Sequence, residues 1–516
     1  MANNQPRGEA ASYYANQPQY GQSQYDQPGP PGPPGSGPVP GGYANGYGDE
    51  KATFDQAFKV DKPKYNDWWA GILFLLVMAG FVVVSGLAIQ GYSATKNSQG
   101  DGIYDGSRAV GLNTNTIILF VFCLGAAVVL STVYLLLIRF FPKQLIWITG
   151  ILNIVFGLGT AIYMLYRHYW SGGIVFLIFT VFLAFCFYTW IPRIPFSALM
   201  LKTAVDISKR YGHVYIVSAL GALIGAAFAA YFSVTFVAVY SKYSPSNPAC
   251  TQGAGSCSSA KVIGLLVFIT FASYWFSEWL KNTIHTTISG VYGCWYFHPN
   301  NLPRAATRGA LRRSLTYSFG SISLGSLIVA IINLLRQICS IARQNEAAQG
   351  DIIGSILFCV LGCIIGLIDW AVQFLNRYAF SYIALYGYSY VRAAKDTWKM
   401  IKQRGIDALI NECLIGPVLS FGSTFVGYAC ALLAYLYLSF THPAYNSDGS
   451  YTPVVVAFAF LIGLQICNVV TVPISSGIDT IFVAMAYQPE VLMREHPELY
   501  DAMVRVYPKV QSAIHA

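Results

Sequence analysis

Ten long apolar runs constrain this sequence more than any other feature. Each run is close to or longer than the roughly 20 residues that cross a bilayer as a helix. The sequence therefore predicts an all-α, polytopic membrane protein with about ten transmembrane helices, at residues 68–91, 115–138, 144–166, 171–190, 212–241, 262–290, 314–339, 352–390, 408–440 and 453–487.

The supply of charge agrees with a chain buried in lipid. Only 11% of the 516 residues are charged, whereas soluble domains carry about 25%. A soluble enzyme, a secreted disulfide scaffold and a nucleic-acid-binding protein are therefore all close to excluded. The expected partners are the lipid bilayer and a small-molecule solute, with no nucleic acid.

Residues 1–64 differ in composition from the rest of the chain. They are rich in Pro, Gln, Tyr and Gly, and such a segment cannot bury enough apolar surface to offset its ordering entropy. We expect a disordered cytosolic tail, followed by a transmembrane domain at 65–490 and a cytosolic C-terminal tail at 491–516. The Pro/Gly segment at 28–35 of the N-terminal tail fits either a solvated chain or a docking site for an SH3 or WW domain. Binding of cytosolic partners by this tail therefore stays an open possibility.

The distribution of Lys and Arg predicts the orientation of the helices. If both termini are cytosolic, the inner connections hold fifteen basic residues and the outer connections hold six. Because basic loops remain on the cytoplasmic side, the sequence predicts a multi-pass protein of the cell membrane with both termini in the cytoplasm.

The cysteines agree with this orientation. Of the eleven, only Cys250 and Cys257 lie in a polar loop, and that loop falls on the predicted outer side. Two cysteines seven residues apart in an oxidising compartment favour a small disulfide-closed loop. The other nine lie in apolar surroundings, where cysteine acts as a small hydrophobic residue. The sequence predicts no metal site and no other cofactor.

Polar side chains within the apolar runs are candidate functional residues, because they are costly in a membrane. Asp369, Gln373 and Asn376 recur at i, i+4 and i+7 and therefore share one helical face, beside Trp370. Two interpretations fit this face. It lines a cation pathway, or it is a patch of interhelical hydrogen bonds.

A second candidate group lies in the sixth run. Glu278 stands between Trp275 and Trp279, an arrangement that suits an aromatic cage for a quaternary ammonium ion. The same residues also fit an ion pair of Glu278 with Lys281 and two tryptophan anchors at the membrane interface. Asp479 in the last run is a further polar intrusion, with hydrogen bonding as its default role.

The sequence predicts a protein that is not an enzyme. Walker A, HExxH and GxSxG motifs are absent from it. A membrane acyltransferase would need a buried catalytic histidine, and His285 is the nearest candidate. The sequence provides no convincing partner for this histidine.

Four short motifs in the second half of the chain are specific. They are Trp-Tyr-Phe ending at residue 297, Ser-Phe-Gly-Ser-Ile at 318–322, Phe-Leu-Asn-Arg at 374–377 and the pair Asp479-Thr480. Together they resemble the choline transporter-like family, convincingly over 275–485. The Pro/Gln/Tyr-rich tail looks like the fungal branch of that family, the pH-nine-sensitive proteins. The resemblance implies ten spans, cytosolic termini and transport of a solute.

We therefore expect a plasma-membrane solute transporter, secondary or facilitative, for choline or a related organic cation. A non-transporting scaffold or sensor that acts through its tail stays open. So does a lipid-handling protein that uses the smooth, small-residue face at 320–326. The candidate substrate-binding residues are Asp369, Trp370, Gln373, Asn376, Trp275, Glu278, Trp279 and Asp479.

Overall fold

The computed structural model describes residues 64–95, 114–243, 258–299, 303, 305–403, 415–441 and 452–508. Within these ranges every regular element is a helix, so the all-α prediction is confirmed. All the described residues belong to one compact unit, Lys51–Ala516. The predicted tail up to residue 63, the predicted disulfide of Cys250 and Cys257, and residues 509–516 lie outside the described residues.

Fifteen α-helices are present in the described ranges. In chain order they are α1 (Trp68–Thr95), α2 (Thr114–Phe140), α3 (Pro142–Tyr166), α4 (Trp170–Trp190), α5 (Ile194–Arg210), α6 (His213–Tyr243), α7 (Ser259–Phe297), α8 (Ala306–Leu315), α9 (Phe319–Gln349), α10 (Ile352–Tyr386), α11 (Tyr390–Gln403), α12 (Ile415–Thr441), α13 (Thr452–Tyr487), α14 (Pro489–Glu495) and α15 (Pro497–Val506). Among them, ten are long and apolar enough to cross a membrane: α1–α4, α6, α7, α9, α10, α12 and α13. The predicted number of spans is confirmed.

Several predicted span boundaries differ from the helix ends: α7 and α9 continue past the predicted ends at 290 and 339, and two predicted spans run across a break between helices. The seventh span does not begin at residue 314, because a break at 316–318 separates α8 from α9. The eighth does not continue to residue 390, because α10 ends at Tyr386 and Gly387 adopts a left-handed conformation with φ 66°. Glycine closes helices in this way because it has no Cβ to clash with the backbone.

Three helices, α5, α8 and α11, occupy segments predicted as inner connections. In α11, Ala393, Thr397 and Met400 are buried, whereas Lys395 and Lys399 are exposed. Apolar and basic residues thus alternate with the helical period. We use the name basic end for the end of the bundle at which α7, α10 and α13 finish and near which α8 and α11 lie. It is the side predicted to be cytoplasmic.

Pro473 lies inside α13, the last spanning helix. Proline has no backbone N–H, so it leaves the carbonyl of Val469 without its usual partner within the helix. The hydroxyl of Ser218 on α6 donates to that carbonyl at 2.9 Å. The carbonyl that Pro473 leaves free of its helical partner thus forms a hydrogen bond between α6 and α13. This bond lies next to the part of α13 that lines the cavity described below.

The small-residue face of α9 is buried in the bundle. Ser321, Ser323 and Ser326 have no exposed surface, and Ser326 accepts a hydrogen bond from Asn282 Nδ2 at 2.9 Å. A Cβ at Gly325 would come within 2.6 Å of the Phe380 ring. The face that the lipid-handling alternative depended on is therefore a helix-packing surface.

Candidate functional site

A cavity of about 360 Å³ lies in the half of the bundle next to the basic end. Residues of α7, α9, α10, α12 and α13 line it, and it is therefore enclosed by five spanning helices. Asp479 on its wall is eight residues from the end of α13, about 12 Å at the rise of an α-helix. Cavities of roughly 300 Å³ or more are typical of sites that hold small molecules.

The cavity wall carries two carboxylates and two basic groups. Asp479 Oδ2 lies 3.6 Å from Arg377 Nε, and Glu278 Oε2 lies 3.4 Å from Lys281 Nζ. The two partners differ in exposure: the Asp479 side chain is 9% exposed, whereas that of Arg377 is 48% exposed. A buried carboxylate needs a counter-ion, and here that counter-ion is a half-exposed guanidinium.

His285 joins three spanning helices at the cavity. Its Nε2 lies 2.8 Å from the carbonyl oxygen of Arg377 on α10, and its Nδ1 lies 2.9 Å from Ser476 Oγ on α13. A carbonyl can only accept, so Nε2 carries the proton and Nδ1 accepts from the Ser476 hydroxyl. Ser381 Oγ is a further neighbour of Nε2 at 3.1 Å. Both ring nitrogens are used in tying α7 to α10 and α13.

Four of the eight predicted site residues line the cavity: Glu278, Gln373, Asn376 and Asp479. Asp369 does not line the cavity. Its side chain is buried, with 9% of its surface exposed. Its Oδ1 accepts from Gln373 Nε2 at 2.9 Å, and its Oδ2 lies 3.3 Å from Arg336. Asp369 therefore contacts the cavity residue Gln373 without lining the cavity itself.

The three predicted tryptophans lie elsewhere. Trp370 points outward and is 65% exposed. Trp275 is buried, and its indole N–H donates to the carbonyl of Ser323 at 3.0 Å. Trp279 stacks on Phe74 with ring centroids 5.0 Å apart. Trp275 and Trp279 do not line the cavity with Glu278, and the aromatic side chains on the cavity wall are Tyr378 and Phe482.

The cavity residues outside the predicted set include the two basic groups and the histidine–serine pair described above: Lys281, Arg377, His285 and Ser476. Two of them stood in the sequence with signals of their own. Arg377 ends the Phe-Leu-Asn-Arg motif, and His285 is an isolated histidine within an apolar run. Ser476 carried no such signal, because a serine within a membrane span is ordinarily a packing residue.

The arrangement is suited to binding a cation. Asp479 and Glu278 supply negative charge, and the rings of Tyr378 and Phe482 supply π faces. His285 has both ring nitrogens committed to protein partners. In the described part of the chain, no cluster of three or more His, Cys, Asp or Glu is placed to hold a metal ion.

Known proteins match this chain over most of its length. A family model described as plasma-membrane choline transporter matches residues 174–490. Protein PNS1 of Gibberella zeae is 63% identical over 516 residues, which cover 99% of this chain and 95% of that protein. Protein PNS1 of Neurospora crassa is 62% identical over 520 residues, covering 98% and 93%. Protein PNS1 of Saccharomyces cerevisiae is 46% identical over 468 residues, covering 89% and 87%.

Proposed function

Since this chain belongs to the choline transporter-like family, in its fungal branch, we propose that it carries choline or a related organic cation across the plasma membrane. Transport is secondary or facilitative, because the sequence has no nucleotide-binding motif. The observation that carries the proposal is the Asp479–Arg377 pair on the wall of the cavity.

The organic cation takes the place of the Arg377 guanidinium beside Asp479. Before a cation binds, the pair keeps the buried carboxylate neutralised, which avoids the cost of an isolated charge in a low-dielectric interior. When a cation enters, Arg377 moves into the exposed region that it already half occupies. Tyr378 and Phe482 then offer π faces to the methyl groups of an ammonium ion.

The direct test is uptake of radiolabelled choline by proteoliposomes that contain the purified full-length protein. We expect uptake above that of empty vesicles, saturable and inhibited by unlabelled choline. Absence of uptake at several pH values and under sodium, potassium and proton gradients would contradict the choline assignment. Deleting residues 1–60 separates transporter from scaffold, since a transporter keeps its flux without the tail.

Replacing Arg377 with Gln is expected to strengthen cation binding. The variant removes the competing guanidinium but keeps Asp479, so the KM for choline falls by roughly threefold to tenfold, equivalent to about 0.7–1.4 kcal/mol. The measurement is the concentration dependence of initial uptake rates. Arg336→Gln is the matched control, because Arg336 makes the same kind of pair with Asp369 away from the cavity. An unchanged or higher KM in Arg377→Gln would contradict the exchange of arginine for substrate.

A further inference from the structure

Two residues before α1 bind to the basic end of the bundle. The carboxylate of Asp67 accepts from Ser321 Oγ and from the backbone N–H of Tyr390, both at 2.7 Å. Asn66 Nδ2 donates to the carbonyl of Gly387 at 2.7 Å. The pair Asn66 and Asp67, which we name the clasp, thereby joins the start of α9 to the turn between α10 and α11.

The backbone geometry shows that the clasp is closely fitted. Asp67 has a φ of 50°, a left-handed conformation that costs free energy in a residue other than glycine. On α9, which the clasp contacts, a Cβ at Gly320 would overlap the backbone carbonyl oxygens of Asn66 and Asp67. Backbone atoms cannot rotate away as a side chain can, so this contact requires glycine at position 320.

Tyr390 connects the clasp to the cavity. Its backbone N–H binds Asp67, and its phenol donates to Asn376 Oδ1 at 2.6 Å. The Tyr390 side chain is buried, and burial raises the pKa of Tyr390 to about 12, so the phenol keeps its proton at physiological pH. Asn376 lies on the cavity wall.

The two ends of the Asn376 amide have different partners. Its Oδ1 accepts from the phenol of Tyr390, while its Nδ2 lies 3.5 Å from the carbonyl of Gly325. Turning the amide around would bring two carbonyl oxygens together at Gly325. The strong bond from Tyr390 therefore fixes which way the amide of Asn376 faces in the cavity.

We propose that Tyr390 is a positioning residue of the transport site, and that the clasp residue Asp67 holds it from the N-terminal side of α1. This inference rests on the proposed function, since it concerns the same cavity. The path has two hydrogen bonds through one residue: Asp67 to the Tyr390 backbone, and the Tyr390 phenol to Asn376. It makes the segment before α1 part of the machinery that sets substrate affinity.

The test compares choline uptake kinetics of three variants in proteoliposomes. Tyr390→Phe removes one hydroxyl and keeps the ring. Asp67→Gly removes the carboxylate oxygen that accepts both bonds and suits the left-handed backbone at this position. We expect the KM to rise by roughly threefold to tenfold in Tyr390→Phe, the range for one lost hydrogen bond. Vmax per inserted protein is expected to stay within about twofold of wild type, because the change affects binding and not the transport step. Asp67→Gly raises KM in the same direction, and the double variant is less than additive because both changes act through Asn376.

Tyr382→Phe is the matched control. It also removes the hydroxyl of a buried tyrosine, in this case on α10, but that hydroxyl contacts Asp396 at 3.4 Å and not a cavity residue. A tyrosine with a merely structural role would change the melting temperature in both phenylalanine variants and leave both KM values unchanged. That result, with wild-type uptake intact, overturns the inference and leaves the proposed function standing. Absence of uptake by the wild type overturns the proposed function and this inference with it.

Discussion

Asp479→Asn is expected to reduce choline uptake at least about tenfold, because the loss of the buried charge costs the bound cation more than 1.4 kcal/mol. The substitution keeps the size and most of the hydrogen-bonding capacity of the side chain. It removes only the negative charge that faces the cavity and pairs with Arg377 at 3.6 Å. The measurement is the initial uptake rate per inserted protein, over a range of choline concentrations.

Asp369→Asn provides the control for this prediction. Asp369 matches Asp479 in burial and also pairs with an arginine, Arg336 at 3.3 Å. It contacts the cavity only through Gln373, so we expect uptake within roughly threefold of wild type, the size of one indirect hydrogen-bond effect. Equal losses in both variants would show that the effect is a general cost of breaking a buried ion pair. Normal uptake by Asp479→Asn would show that the Asp479 carboxylate does not bind the cation.

The ten spanning helices were predictable from the sequence, because a helix that crosses the hydrocarbon core needs about twenty predominantly apolar residues, whichever helices surround it. The same property hides which side of each helix faces the bundle. The helices α5, α8 and α11 were not predicted. Each has apolar residues on one face and basic residues elsewhere, so its sequence does not contain an apolar run long enough to be recognised as a span.

The α10 helix shows where the prediction of the site ended. Spacing correctly placed Asp369, Gln373 and Asn376 on one face, but the cavity reaches only Gln373 and Asn376 of that face. Trp370, one position from Asp369, faces outward. A helix with polar groups on one side does not reveal which part of that side a neighbouring helix covers, because the covering residues come from distant parts of the chain.

Glycine pairs illustrate the same limit. Gly221 packs against Ile284 so closely that a Cβ would overlap it, whereas Gly362 and Gly366 on α10 have no atom within 4 Å of an added Cβ. Gly221 with Gly225, and Gly362 with Gly366, both have the Gly-x-x-x-Gly spacing that favours close helix contact. The spacing permits such a contact but does not ensure that a partner helix lies opposite.

The partners of His285 could not be read from sequence, because they are 92 residues away at Arg377 and 191 residues away at Ser476. They make this histidine a structural junction, and the expected result of His285→Ala follows. The variant takes the His285 ring away from the Ser476 hydroxyl and opens a void between three helices, while the Arg377 carbonyl keeps the bond from Ser381 Oγ. An unpartnered buried polar group costs about 1–3 kcal/mol, so we expect the free energy of unfolding to fall by about 2–4 kcal/mol, with the void included.

Two further variants make that loss interpretable. In His285→Gln, the amide can donate to the Arg377 carbonyl and accept from Ser476, so we expect it to recover most of the stability that His285→Ala loses. His213→Ala removes an exposed histidine at the start of α6 and should stay within about 0.5 kcal/mol of wild type. Thermal unfolding of the detergent-solubilised protein measures all three. If His285→Ala unfolds at the temperature of His213→Ala, the histidine does not hold α7, α10 and α13 together. The His285 ring would then have a role other than a structural one, either in catalysis or in substrate binding.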